Sequence, residues 1–302
     1  MTVQQKTIWE RFLAPVFNFL IDGEELERYS KSVDWEAESE QFRRGDVEIP
    51  LYYSSKNFHG VKRGYLNSGA AVSYDAITQY VTPPNENWVR QELINGIALP
   101  QPRRILDLGC GTGSTTLMLK EAFPEAEVIG LDLSPYMLVR ASHKAAESKA
   151  DIIWRHGNVE RTSFEEASFD LVTATLLFHE TPVKISKTIL HEAFRLLVPG
   201  GQMLVLDGNQ KRLREQTWLS DIFEEPYIQE YGNSSVDGIM GAAGFEEVRT
   251  KDVWLVHQLT SGVKPIPVRN TATSHNAIAQ NPVFTDPIVD DNDIGGYPSP
   301  TV

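Results

Sequence analysis

Three short segments carry residues whose types and spacing suit chemistry. Residues 105–113 read ILDLGCGTG, and 19 residues after Gly113 comes an acid, Asp132, within VIGLDLSP at 128–135. Gly109, Gly111 and Gly113 let a ligand approach the backbone closely. A helix beginning there would point its unpaired N–H groups and positive end at that ligand. Asp132 stands where a carboxylate can accept both hydroxyls of a ribose. The two segments together predict a nucleoside cofactor; alone, DLGCGTG could be a tight strand–helix turn. The third segment is Leu176-Leu177-Phe178-His179-Glu180-Thr181. His179, with an ordinary pKa near neutrality, is a candidate general base, and Glu180 can orient it or act itself. The bland alternative is that His179 caps or packs the following helix.

These residues need elements to hold them. Ile105-Leu106-Asp107-Leu108 has the apolar run of a buried parallel strand, and Ser114–Lys120 has helix-like apolar spacing. A dinucleotide fingerprint wants G-x-G-x-x-G, but here the third glycine's place holds Ser114. Asp107, two residues before the first glycine, would repel a pyrophosphate and suits an ammonium and a sulfonium. No G-K-[ST] follows, so a P-loop is excluded. On these residues the chain resembles the class I S-adenosylmethionine-dependent methyltransferases, of the small-molecule type, with D-x-G-C-G-T-G and an acid closing the second strand.

The resemblance implies an α/β fold: a Rossmann-like seven-stranded sheet with helices on both faces and an antiparallel last strand. It implies S-adenosylmethionine as cofactor and S-adenosylhomocysteine as product. The implied cofactor contacts are Asp107, Gly109, Cys110, Gly111, Gly113, Asp132, Leu133, Met137, Asn158, Val159 and Thr175, with no metal. It also places the 176–181 loop at the carboxyl edge of the sheet, facing the methyl group. Gly157-Asn158-Val159-Glu160 stands where the family commonly has G-D-A-E, so an amide replaces the acid that meets adenine, and its oxygen can still accept a hydrogen bond. Further strands are expected at 151–155, 168–175, 202–207, 244–248 and 253–256. A helix is expected over 182–197 and a turn at Val198-Pro199-Gly200-Gly201. The fourth strand lacks [DN]-P-P-[YF], which disfavours DNA-base and protein amino-methylation.

Residues 1–98 read as an N-terminal helical cap or substrate lid, 99–261 as the cofactor domain, and 262–302 as a proline-rich tail, extended or disordered. Within the cap, 8–21 is apolar at helical spacing around Pro15, and a helix is expected over 86–96. Tyr74 or Tyr80 could approach the methionine end of the cofactor. An insertion at about 208–235 carries Trp218, Phe223, Tyr227 and Tyr231, which suit a flat or lipophilic acceptor or a small satellite core.

The net charge of −13 over 302 residues argues against a nucleic-acid partner, and Lys211-Arg212-Leu213-Arg214 is read as a solvated face. The single cysteine, Cys110, sits in the glycine turn and reads as packing. No apolar run reaches the ~18 residues that span a bilayer, so a cytoplasmic protein without stable membrane insertion is expected. The sequence sets no oligomeric state. The reading that follows is methyl transfer to a small aromatic or lipophilic acceptor, on oxygen or carbon. A catalytically silent cofactor-binding regulator is the alternative, and an NAD(P)-linked oxidoreductase is disfavoured by Ser114 and Asp107.

Overall fold

The computed structural model describes residues 22–58, 61–62, 64–82, 84–216 and 225–267. The apolar segment 8–21, Trp218 and Phe223, and the tail from 268 lie outside these residues. The cap supplies α1 (Gly23–Ser32), α2 (Trp35–Phe42), α3 (Leu51–Ser54), the two-residue strands β1 (Asn57–Phe58) and β2 (Val61–Lys62), α4 (Ser68–Val81) and α5 (Glu86–Asn95). Next come β3 (Arg104–Leu108), α6 (Ser114–Ala122), β4 (Glu127–Asp132), α7 (Pro135–Ser148), β5 (Ile153–His156) and β6 (Phe169–Thr175). A 3-10 turn at Phe178–Glu180 leads into α8 (Val183–Leu196) and β7 (Leu197–Gly208). Then α9 (Gln210–Glu215), α10 (Ile228–Gly232), α11 (Val236–Ala242), β8 (Glu246–Val253) and β9 (His257–Val263) complete the described chain.

The seven strands order as β5-β4-β3-β6-β7-β9-β8; β9 runs antiparallel to both neighbours and the other pairs are parallel. This is the α/β sheet with an antiparallel last strand that the sequence predicts. Alternation along β3 assigns its side chains to two cores. Leu106 and Leu108 join Ile129, Val172, Ile189 and Met203 on one face. Ile105 joins Val89 and Leu93 of α5, Leu119 of α6, Leu204 and Leu259 on the other. A third cluster, Ala70, Ala71 and Met137 with Tyr65 and Tyr74 against it, fixes the cap over α7.

Three sequence expectations are corrected. Of Val253-Trp254-Leu255-Val256 only Val253 is strand, the last residue of β8, and the other three form a turn: Trp254 sits at φ +50°, and both it and Leu255 are exposed. The apolar run that suggested a strand is instead the surface of the β8–β9 hairpin. The Val198–Gly201 turn lies within β7, which begins at Leu197 beside Phe169. The tail does not begin at 262, because Gly262 and Val263 belong to β9. Lys264 also exchanges backbone hydrogen bonds with Gly200 and Gly201, both at 2.8 Å.

Candidate active site

The glycine turn follows β3 and leads into α6 through Gly113, which is left-handed at φ +79°. A Cβ there would lie 2.5 Å from the Trp154 indole, so this glycine makes room for the ring as well as the turn. Gly111 differs: φ is +54° and nothing lies within 4 Å of an added Cβ. That open space belongs to a cavity continuous with solvent, whose non-atom space, counted with the open solvent at its mouth, is about 710 Å³. Tyr52, Tyr53, Tyr65 and Tyr74 of the cap line it with Gly109, Gly111, Asp132, Leu133, Met137, Asn158, Val159, Thr175, Leu176, Leu177, Glu180 and Thr181.

Asp132 ends β4 with one carboxylate oxygen accepting from the Gly111 N–H and the other from the Ser134 N–H, both at 2.8 Å. Burial pushes its carboxyl up to about 6, against those two bonds. A nucleoside's hydroxyls would donate to the ionised form, so binding must release the proton below that value. Affinity for S-adenosylhomocysteine is therefore expected to be flat above pH 6 and to weaken by up to about tenfold per pH unit below it. Asp132→Ala should cost about 1.5–3 kcal/mol of affinity and abolish that slope. Titration calorimetry across pH checks both; an unchanged slope in the variant would remove Asp132 from the site. Gly111→Ala should destabilise the fold by only about 1–2 kcal/mol, the left-handed penalty. It should nonetheless lose most cofactor affinity, because the added methyl enters the cavity.

Asp107, Cys110 and Gly113 do not line the cavity. Asp107 is buried beneath the loop, taking hydroxyl bonds from Thr116 at 2.6 Å and Thr173 at 2.8 Å. Burial raises its pKa while those bonds oppose the shift. Its charge acts from below the loop, not by contact. The Cys110 sulfur packs toward Gly130, and burial pushes its thiol well up, which suits the packing role. Asn158 does line the cavity, with its amide oxygen accepting from the Glu160 N–H at 2.8 Å. Tyr74 lines it too, whereas Tyr80 does not.

The loop after β6 separates the two expected catalytic side chains. Glu180 faces the cavity, and its Oε1 accepts from the Tyr65 hydroxyl at 2.9 Å. His179 stands behind it, with Nδ1 2.7 Å from Asp207 Oδ1 and Nε2 3.9 Å from Glu180 Oε1. Burial alone would lower the imidazole's pKa. The charge and hydrogen bond of Asp207, with the charge of Glu180, push it up to about 9 instead. With that shift His179 stays an imidazolium at neutral pH, clamped between carboxylates, and Glu180 is the member of the pair that lines the cavity. Asp207, next to last in β7, also accepts from the Phe178 N–H at 2.7 Å, so it ties the turn to the strand.

Roof and floor are joined. Asp75 of α4 accepts from the Thr112 hydroxyl of the glycine loop, from Lys144 at 3.0 Å and from Arg140 at 3.2 Å. Ser134 donates to the Tyr65 carbonyl at 2.6 Å, and Tyr52 to Glu160 at 3.0 Å. Tyr227 of the insertion donates to the Tyr52 carbonyl at 2.8 Å, while Tyr231 is buried in the core and donates to the Gly208 carbonyl. Among the described residues no His/Cys/Asp/Glu cluster could hold a metal, and no helix is long and apolar enough to cross a membrane.

Comparison with known proteins agrees with this geometry. Residues 105–201 match the family described as a methyltransferase domain. Demethylmenaquinone methyltransferase of Lactiplantibacillus plantarum is 35% identical over 143 residues, covering 46% of this chain and 60% of that protein. The Bacillus licheniformis enzyme of that name is 29% identical over 219 residues, covering 63% and 88%. The chain spans about three fifths of the length of the first of these curated relatives. In fold it is similar to a Pyrococcus horikoshii protein, TM-score 0.53 at 19% identity over 63% of this chain and 97% of that one. It is also similar to Haemonchus contortus phosphoethanolamine N-methyltransferase 2, solved with S-adenosylmethionine, TM-score 0.51 at 16% identity over 67% and 58%. A glycine loop with open space at Gly111, an acid ending the next strand and these matches point one way: residues 105–201 carry a methyltransferase domain, and the chain is similar to S-adenosylmethionine-dependent methyltransferases.

Proposed function

We propose that this chain methylates a small, flat, lipophilic acceptor carrying a weakly acidic proton, held beneath the tyrosines of the cap. The observation that carries the reading is Glu180, a carboxylate facing the cavity beside Tyr52, Tyr53, Tyr65 and Tyr74. Tyrosine rings give an aromatic acceptor large apolar faces, and no lysine or arginine is among the described lining residues to hold an anionic one. Demethylmenaquinone, the acceptor in the relatives' names, is a lipophilic quinone and belongs to this class.

When bound, the cofactor would supply a methyl group on a sulfonium whose carbon–sulfur bond breaks as the acceptor bonds to the methyl carbon, the neutral thioether S-adenosylhomocysteine leaving without further activation. The chain does the remainder. The cap and the Leu176–Leu177 wall confine the acceptor, and the strand ends hold it in line. As the acceptor's oxygen or carbon becomes bonded to the methyl carbon, its proton passes to Glu180. Carboxylates are weak bases, and the Tyr65 hydroxyl and the His179 imidazolium hold this one in place. Such a base removes protons from phenols, enols and hydroquinones in preference to alcohols.

Incubation with labelled S-adenosylmethionine and a panel of phenols, demethylated quinones and aliphatic alcohols, read by mass spectrometry, tests this. Label in the first two groups and none in the alcohols is expected. Cofactor binding with no transfer to the panel or to a cell extract would instead favour a regulatory protein.

A further inference from the structure

The turn between β8 and β9 carries large apolar side chains where a turn needs none. Trp254 has a left-handed backbone at φ +50°, a conformation that suits glycine or asparagine. Its side chain is 51% exposed, the next residue Leu255 is 70% exposed, and Trp88 in the first turn of α5 is 58% exposed. The two indoles stack with 5.8 Å between centroids, and Trp254 Nε1 donates to the Trp88 carbonyl at 3.4 Å. The rings are thus held in place, with the Trp254 donor already satisfied. Together with Leu255 they form an apolar patch that the described residues leave uncovered.

Strand pairing fixes where the patch stands. His257, which follows the turn, pairs with Gly208 at the end of β7, and β7 runs parallel to β6, whose last residue Thr175 lines the cavity. Arg90, two residues after Trp88, donates at 2.6 Å to Thr115 in the first turn of α6, just past the glycine loop. The patch therefore lies on the carboxyl edge of the sheet, the edge that holds the cavity. α9 leaves from the same turn: Asn209 donates its N–H to the Val256 carbonyl at 2.7 Å and its side-chain amide to Asp252 at 2.9 Å. Around the patch, Lys211, Arg212, Arg214 and Lys251 are exposed cations, set against the carboxylates of Glu92, Glu215 and Asp252. Lys251 pairs with Glu92 at 3.0 Å, while Lys211 pairs with no described residue. A chain of net charge −13 thus presents a small positive excess beside its exposed tryptophans.

Indoles, a leucine and flanking cations complement a phospholipid surface, because indoles settle at headgroup level and Lys and Arg are drawn to anionic heads. We propose that Trp88, Trp254 and Leu255, with Lys211 and Arg212 beside them, dock the carboxyl edge of the sheet on an anionic bilayer surface. There a lipophilic acceptor dissolved in the bilayer is close to the cavity. The choice of a lipid surface rests on the reading of the acceptor as lipophilic. The docking is peripheral and needs no membrane-spanning helix.

Sedimentation of the full chain with vesicles of phosphatidylcholine, and of phosphatidylcholine mixed with phosphatidylglycerol, tests this. The unaltered chain should pellet with the mixed vesicles and more weakly with phosphatidylcholine alone. Leu255→Ser and Trp254→Asn, the latter suited to the left-handed backbone, should each weaken partitioning about 10- to 100-fold, as burial of a large apolar side chain implies. Lys211→Gln combined with Arg212→Gln should cost about 10- to 30-fold on the mixed vesicles and nothing on phosphatidylcholine. Every variant should methylate a water-soluble phenol as the unaltered chain does, while transfer to a long-chain quinol held in vesicles falls with binding. No pelleting of the unaltered chain, or undiminished pelleting of the apolar variants, would overturn the proposal. So would a concentration-dependent dimer that Leu255→Ser disperses, which would make the patch a contact between two copies. Vesicle binding that these variants reduce, without methylation of either acceptor, would mark the failure of the acceptor reading instead.

Discussion

Glu180→Gln is expected to lower kcat by about 100- to 10,000-fold, the range of general-base assistance, with affinity for S-adenosylhomocysteine within about twofold of normal. Glutamine keeps the shape and can still accept from Tyr65, so the loss would isolate proton removal from packing. His179→Asn should cost less, about tenfold, because the imidazole acts behind the carboxylate. Its pH signature is the sharper readout. With His179 raised to about 9, turnover should hold through neutrality and fall as pH climbs past about 9, where the imidazolium loses its charge. His179→Asn should lack that alkaline limb. The same shift bears on stability: the folded-state pKa exceeds the ordinary 6.5, so the contribution is complete below about 6.5 and lost as pH rises through about 9. Full activity of Glu180→Gln alongside an inactive His179→Asn would reverse the assignment and make the imidazole the base.

Gly113→Ala should destabilise the native state by about 2–5 kcal/mol. The left-handed backbone at φ +79° costs a β-carbon about 1–2 kcal/mol. The new methyl also meets Trp154 Cη2 at 2.5 Å and the Ala141 methyl at 3.1 Å, and overpacking of that kind adds about 1–3 kcal/mol. Urea unfolding measures the total. Trp154→Leu in the Gly113→Ala background should recover the packing part and leave the backbone part. Recovery of nothing would mean that the indole is not what the glycine accommodates.

The glycine turn and Asp132 were legible because their parts are local. A strand, a glycine turn and a helix are contiguous in 105–122, and an acid closing the next apolar run needs no long-range information to be placed. The cluster around Glu180 was not, because it is built from regions far apart in sequence. Tyr65 and Glu180 are 115 residues apart, and His179 and Asp207 are 28 apart. The sequence presented His179 as a near-neutral base. Only its burial between Asp207 and Glu180 turns it into a lasting cation. A faint signal existed for Asp207, which closes the apolar run of β7 as Asp132 closes that of β4. Asp107 misled for a related reason: composition suggested contact with a cationic ligand, but a strand interior turns the side chain under the loop, where Thr116 and Thr173 saturate it. Trp254 and Leu255 misled in the opposite sense, since apolar residues that cap a hairpin carry the same composition as a buried strand.

The Asp75 clamp has a consequence for how quickly molecules come and go. Because one carboxylate of the roof holds Thr112 of the floor, together with Arg140 and Lys144 beside it, α4 cannot lift without loosening the glycine loop. Amide hydrogens of 68–81 and of 109–114 should then exchange in step, as one cooperative opening unit and not as separate fraying segments. Escape of the spent nucleoside would await that opening, so its residence time would follow the free energy of the unit more than the contacts the nucleoside makes. Loosening the clamp at Asp75 would shorten the residence time even though Asp75 is not among the residues that line the cavity.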